Sequence, residues 1–161
     1  MRKPLPMNPH EQLIEEFYAG FAAGDADTMN SCYHPDIVFH DPAFGTLEGA
    51  DVADMWRMLI TRGGDRLSVE FSDIKADGKT GSAKWVADYF YAERPVQNFI
   101  KSEFKFDNGL IIEQTDSYDL WKWSQQALGF SGLLFGWSSL MKTKIQKQAV
   151  SSLRKFQQRK K

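Results

Sequence analysis

The chain has 161 residues, of which 42% are hydrophobic and 25% charged, a composition that suits one globular domain with room for a terminal appendage. Its one cysteine, Cys32, excludes an internal disulfide framework and a cysteine-based zinc finger. The net charge of −1 hides a partition that excludes a uniformly acidic or basic protein: all 21 Asp and Glu lie in residues 1–120 beside 11 Lys and Arg, giving −10, while residues 121–161 carry nine Lys and Arg and no acid, giving +9.

The opening Met1-Arg2-Lys3-Pro4-Leu5-Pro6 has basic residues but no apolar run behind them, so no secretory signal is expected. Asn8-Pro9-His10-Glu11 is a helix start: Asn8 caps free N–H groups, Pro9 suits the first helical position, and Glu11 favours the positive end of the dipole. Leu13, Ile14, Phe17, Tyr18 and Phe21 follow at helical spacing. Gly24 ends that helix, and Asp25 caps a short second one that runs to about Cys32. His34-Pro35 breaks it. A short strand, Ile37-Val38-Phe39-His40, is ended by Asp41-Pro42, and Gly45 and Gly49 bracket a turn. A third helix runs through Met55-Trp56-Arg57-Met58-Leu59 to Gly63-Gly64.

The period then changes to two. Leu67, Val69 and Phe71 alternate with Ser68, Glu70 and Ser72, and after an Asp77-Gly78 turn Trp85, Ala87, Tyr89 and Tyr91 alternate with Val86, Asp88 and Phe90. Arg94-Pro95 is read as a bend, residues 99–106 as a third strand, Asp107-Asn108-Gly109 as a hairpin, and residues 110–120 as a fourth strand. Helices before an antiparallel meander predict an α+β fold, with helices packed on one face of a curved sheet. Helical spacing returns at Trp121. Gly129, Gly132 and Gly136 interrupt an apolar stretch, and residues 139–158 predict an amphipathic helix whose stripe is Met141, Ile145, Ala149, Leu153 and Phe156. The longest apolar run, Leu133-Leu134-Phe135-Gly136-Trp137, is far short of the ~20 residues of a membrane span. With one free cysteine, the expected compartment is the cytoplasm.

Gly78-Lys79-Thr80 resembles the end of a phosphate-binding loop, but Asp73 stands where that motif needs glycine, and the segment joins two strands. His34, Asp36, His40 and Asp41 are rejected as a metal site because neighbours such as His40 and Asp41 point to opposite faces of a strand. His10 is read as solvated at a helix start, and Cys32 as a small core residue. The aromatic residues carry more. Phe17, Phe39, Trp56, Trp85, Tyr89, Phe104 and Tyr118 are placed between helices and sheet, where they either pack a core or line an apolar pocket.

Phe17-Tyr18-Ala19 through Gly24-Asp25, then Cys32-Tyr33-His34-Pro35-Asp36, Phe39-His40-Asp41-Pro42, Leu47-Glu48-Gly49 and Met55-Trp56, in that order, resemble the nuclear transport factor 2-like superfamily in its SnoaL-like, ketosteroid isomerase-like branch. The resemblance covers about residues 8–120; the Trp121-Lys122-Trp123 and Gln126-Ala127-Leu128-Gly129 segment, with the Gly132-to-Trp137 run, looks like an uncharacterised bacterial subgroup. It implies a cone-shaped curved antiparallel sheet wrapped over the N-terminal helices, a pocket at the open end, and a homodimer. Residues 1–120 then form the cone domain and residues 121–161 a basic helical addition.

The resemblance places the family's proton-moving aspartate on Asp41. The family's oxyanion-binding tyrosine and second acid fall on Phe17 and Ser102, so both donors are missing from their usual places. Losing one such donor costs about 3–4 kcal/mol of transition-state stabilisation, which argues against efficient ketosteroid isomerisation. Tyr18 is ~100° around the helix from Phe17 and is no automatic substitute. Alignment of the last strand puts Gln114, Asp116 and Tyr118 on the concave side, so Asp41 and Asp116 are the expected acid/base pair. The epoxide hydrolase pattern also wants an arginine between two acids; Arg94 in a turn and Arg57 on a helix do not supply it.

The expected site is therefore catalytic Asp41 and Asp116, with Phe17, Tyr18, Phe39, Trp56, Trp85, Asn98, Ser102 and Tyr118 contacting a small apolar ligand, and no metal or cofactor. Isomerisation, ring closure or hydration are the expected reactions. Two alternatives stand beside this reading: a non-catalytic ligand-binding module, and a protein acting through its basic C-terminal helix on a partner or a membrane surface. Nucleic acid is not an expected partner, because the acidic body repels phosphate. The membrane is the weaker partner, since the tail's apolar stripe also suits docking on the acidic body, with residues 129–137 closing the pocket mouth.

Overall fold

Asn8 accepts a hydrogen bond from the Glu11 backbone N–H at 2.9 Å and so begins α1 (Pro9–Ala22), whose residues Ile14, Phe17, Tyr18 and Phe21 are buried. The computed structural model describes residues 7–159; residues 1–6, where no secretory signal is expected, lie outside the described residues, as do Lys160 and Lys161 of the basic tail. Gly24 takes φ +70, and Asp25 caps α2 (Ala26–Ser31) by accepting from the Thr28 N–H. The chain continues through β1 (Tyr33–Asp41), β2 (Gly45–Glu48), α3 (Ala50–Gly63), β3 (Ser68–Ala76), β4 (Thr80–Tyr91), β5 (Arg94–Asp107) and β6 (Leu110–Ser117). It ends in α4 (Leu120–Leu128), α5 (Phe130–Phe135) and α6 (Ser139–Arg159).

The six strands form one curved, unclosed sheet in the order β2-β1-β6-β5-β4-β3. Every neighbouring pair is antiparallel except β1 and β6, which run parallel. The helices pack on one face, and the main core joins Ile14, Phe17 and Tyr18 of α1 to Trp56 of α3 and Trp85, Ile100 and Phe104 of the sheet. The expected α+β fold with a curved sheet, N-terminal helices and a C-terminal helix is thus present.

Four local expectations need correction. β1 begins at Tyr33 and takes His34-Pro35 into the strand; Pro35 falls where the β1–β6 register is interrupted, between Tyr33 and Val38, so its missing N–H breaks no ladder bond. The segment between Gly45 and Gly49 is the edge strand β2, paired Val38↔Glu48 through Asp41↔Gly45, too short to show an alternating pattern. The bend expected at Arg94-Pro95 lies two residues earlier. Ala92 and Glu93 take φ +47 and +67, the values a two-residue hairpin demands, while Arg94 already pairs with Tyr91. His10 stacks on Phe106, with 4.0 Å between ring centres, and is half-buried where solvation is expected.

The C-terminal segment shares the body's core. Leu153 is completely buried in the main cluster, with Ala149 and Phe156 packed beside it, and Ile145 joins Trp123, Ala127 and Val96 in a second cluster. Arg154 grips Asp51 of α3 through Nη1–Oδ1 at 2.8 Å and Nη2–Oδ2 at 3.0 Å. α5 folds back on α4 at very close range: a methyl group on Gly132 would stand 1.9 Å from the Ser124 carbonyl oxygen, and one on Gly136 1.9 Å from Ser124 Oγ. Only glycine fits at those two positions.

Candidate active site

The ladder between β1 and β6 pairs Phe39 with Gln114 and His40 with Thr115. One step further, Asp41 and Asp116 stand on adjacent parallel strands and point to the same, helix-covered face, because side chains alternate along each strand. Both are buried, at 8% and 3% exposure. The sequence GTLE of β2 and the Asp41-Pro42 turn hold the first carboxylate: Asp41 Oδ1 accepts from the Ala43 N–H at 3.0 Å and the Phe44 N–H at 2.6 Å.

Asp116 is held by a network whose directions the indoles dictate, since an indole N–H only donates. Trp85 Nε1 and the Tyr18 hydroxyl donate to Ser102 Oγ at 2.9 and 2.7 Å. With both lone pairs of that oxygen engaged, the Ser102 hydrogen goes to Asp116 Oδ1 at 2.5 Å. On the other side, Trp56 Nε1 donates to the Tyr33 hydroxyl at 2.9 Å, and that hydroxyl donates to Gln114 Oε1 at 2.6 Å. The Gln114 amide therefore turns its Nε2 hydrogens to Asp116 Oδ1, at 3.1 Å. Both chains end on the same carboxylate oxygen.

Burial dominates the acidity of the pair. Asp116 is pushed up to about 6 by burial, against the lowering effect of its Ser102 and Gln114 bonds. Asp41 is pushed up to about 7, first by burial and further by the charge of Asp116, while the Phe44 and Ala43 N–H groups pull it down. Burial, then the charge of Asp41, raises the Tyr118 hydroxyl well above the usual phenol value. No arginine lies between the two acids: Arg57 pairs with Asp27 and Asp54, and Arg94 donates to the Gln126 carbonyl at 2.8 Å. Cys32 is buried, its thiol pushed up to about 12 by burial, as suits a core residue. His34 Nε2 stands 3.3 Å from Asp107 and His40 Nδ1 2.9 Å from Thr46 Oγ1, on separate partners.

The two carboxylates face a cavity of about 740 Å³. Of the expected ligand contacts, Phe39, Trp56, Trp85, Asn98 and Tyr118 line it together with Asp41 and Asp116. Phe17, Tyr18 and Ser102 do not; they form the packed layer behind Asp116, with Phe17 edge-on to Trp56 at 5.7 Å. Asn98 is buried, and its side-chain amide has no partner among the described residues.

Sequence reasoning missed three things here. Tyr33 and Gln114 orient Asp116, and the alternation that put Gln114 beside Asp116 was the available signal. Trp123, Leu128, Met141 and Ile145 wall the cavity from α4 and α6, beside Phe135 of the 129–137 segment that was expected at the pocket mouth, with Trp123 Nε1 donating to the Tyr89 hydroxyl at 2.6 Å. Arg62 and Lys144, both exposed side chains, stand at the cavity's edge.

Comparison with known proteins bears on the family and the fold. The SnoaL-like domain profile matches residues 14–114. The fold is similar to that of an LEH-like epoxide hydrolase from M. tuberculosis, with TM-score 0.61 and 22% identity over 78% of this chain and 95% of that one. It is also similar to an NTF2-like protein of unknown function from Burkholderia pseudomallei, with TM-score 0.65 and 16% identity over 75% and 98% of the two chains. A third likeness is to a hypothetical protein with a ketosteroid isomerase-like fold from Catenulispora acidiphila, in complex with trimethylamine, with TM-score 0.62 and 14% identity over 72% and 92%. No protein of curated function matches by sequence. With the profile spanning most of the chain, the protein belongs to the SnoaL-like domain family, and its fold is similar to that of NTF2-like proteins.

Proposed function

We propose that the cavity binds a small, largely apolar molecule and carries out acid–base chemistry on it, with Asp41 as the general base and Asp116 as its partner. One observation carries the reading: two buried carboxyls on adjacent strands face one aromatic cavity with no cation between them. Such a pair cannot keep both charges cheaply, so it retains a proton near neutral pH and can give or take one. Asp116 keeps two donors on Oδ1, which leaves its other oxygen for the ligand side, while Asn98 offers an amide to a ligand oxygen. Isomerisation, ring closure and hydration can all use such a pair.

The absence of Tyr18 and Ser102 from the cavity wall favours a second reading, a binding module without chemistry, because two expected hydroxyl donors are spent on structure. Deuterium uptake into apolar ketones and ¹⁸O incorporation into apolar epoxides separate the two. Turnover that falls about 10²–10⁴-fold in Asp41→Asn supports the enzyme. Ligand binding by both forms, with turnover by neither, supports the module. The homodimer implied by the resemblance belongs to the same proposal, and sedimentation equilibrium tests it.

A further inference from the structure

The apolar stripe of α6, weighed between docking on the acidic body and a membrane surface, lies on the body: Ile145 and Leu153 are buried, with Ala149 and Phe156 packed against the main core. The apolar surface left uncovered lies elsewhere. Phe130, Leu133, Leu134, Phe135, Trp137 and Leu140, within eleven residues of α5 and the start of α6, are all exposed, Phe130 at 74%, Trp137 at 72% and Leu140 at 83%. Trp121 adjoins them, also exposed, with its Nε1 donating to the Leu133 carbonyl at 3.3 Å. A soluble surface rarely leaves so many large apolar side chains together without a use for them.

The segment that carries this patch is charged with one sign. Residues 121–161 hold no acid. On α6, Leu140, Lys144 and Lys147 follow at i, i+4 and i+7, so the exposed leucine and both lysines share the face opposite the buried stripe. Neither lysine, nor Lys142, forms an ion pair among the described residues. Tryptophan and leucine beside unpaired lysines is the chemistry of an anionic bilayer surface, where rings and aliphatic chains enter the headgroup boundary and ammonium groups meet phosphate. A second copy of this chain would bring a second cationic rim against the first, which opposes that occupant.

We infer that α5 and the first turns of α6 dock the protein on anionic lipid bilayers, with the apolar residues inserted and Lys144 and Lys147 on the headgroups. No helix among the described residues is long and apolar enough to cross the membrane, so the contact is interfacial. Phe135, Met141 and Lys144 also line the cavity, so docking sets its wall against the lipid. An apolar ligand then enters without crossing bulk water; this last step rests on the ligand-binding reading, whereas docking does not.

The test is co-sedimentation of the full chain with phosphatidylcholine vesicles containing phosphatidylglycerol, against phosphatidylcholine alone. Binding to the anionic vesicles is expected, with a blue shift of tryptophan emission and weakening as salt rises. Trp137→Ser with Leu140→Ser lowers affinity at least about tenfold. Lys144→Gln with Lys147→Gln lowers it by about fivefold per lysine and removes the preference for anionic lipid. All four side chains are exposed, so the thermal midpoint stays within a few degrees, which separates lost docking from lost folding. Absence of binding to the anionic vesicles overturns the inference. So does binding that survives both double variants, or a dimer in solution that Trp137→Ser with Leu140→Ser dissolves while vesicle binding is unchanged.

Discussion

Asp41 shows how a buried carboxyl works against stability. Its carboxyl ionises normally in the unfolded chain but is pushed up to about 7 in the fold, chiefly by burial. A raised carboxyl binds its proton more tightly in the native state. Its stabilising contribution is therefore complete below the unfolded value near 4 and is lost as pH rises through about 7. Asp41→Asn keeps an oxygen to accept from the Ala43 and Phe44 N–H groups and removes the buried charge. The variant is expected to match the wild type at pH 4 and to exceed it at pH 8, by on the order of 2 kcal/mol. Urea unfolding of both proteins at the two pH values checks this, and an advantage of the variant over the wild type no larger at pH 8 than at pH 4 contradicts it. Ser102 illustrates the complementary case. The resemblance implies an acid's counterpart at this position, whereas Tyr18 and Trp85 saturate the Ser102 oxygen and make it a donor to Asp116. Its place in the site is to orient a carboxylate.

At the scale of elements, the question is what holds α6 to the body. The charge partition invites an electrostatic answer, and the Arg154–Asp51 pair is bidentate. Yet that pair is solvated, and exposed pairs of this kind contribute about 0–1 kcal/mol. Leu153 is completely buried among core residues. Leu153→Ala is expected to cost about 2–5 kcal/mol, and Arg154→Gln less than about 1 kcal/mol. Chemical denaturation of the two variants ranks them, and the reverse order would make the docking electrostatic. The α4–α5 hairpin is set by sterics, since Gly132 and Gly136 admit Ser124 at a distance that closes the chain over the cavity.

At the scale of the whole molecule, sheet, helices and tail share walls around one cavity: Asp41 and Asp116 on the floor, Trp123 and Phe135 from the C-terminal helices. Since Leu153 sits in the same cluster as Phe17 and Trp56, the tail and body are expected to unfold together. Far-ultraviolet circular dichroism and tryptophan fluorescence should give coincident urea transitions. An earlier transition for the helices alone would show the tail to be a separate unit.

Much of this was legible in the chain. Period-two alternation set the faces of β3 and β4, and Asn8, Asp25 and the stripe of α1 announced their helices, because such signals depend on nearest neighbours in sequence; the face of β6 came from the family resemblance. Asp41 and Asp116 were legible as a pair only through the family's strand order, and alternation alone could not say that β1 lies parallel to β6. β2 was hidden because four residues are too few to show a period, and the Ala92-Glu93 turn because neither residue type advertises a positive φ. The charge partition, too, could be counted but not interpreted. The sequence by itself determined that an acidic α+β body precedes a basic helical segment. Only tertiary structure decided that the segment's stripe is spent on the body, that Tyr18 and Ser102 serve Asp116 from behind, and that the uncovered apolar surface is α5. Those outcomes depend on which surfaces meet across more than a hundred residues of chain, and burial, not local pattern, selects among them.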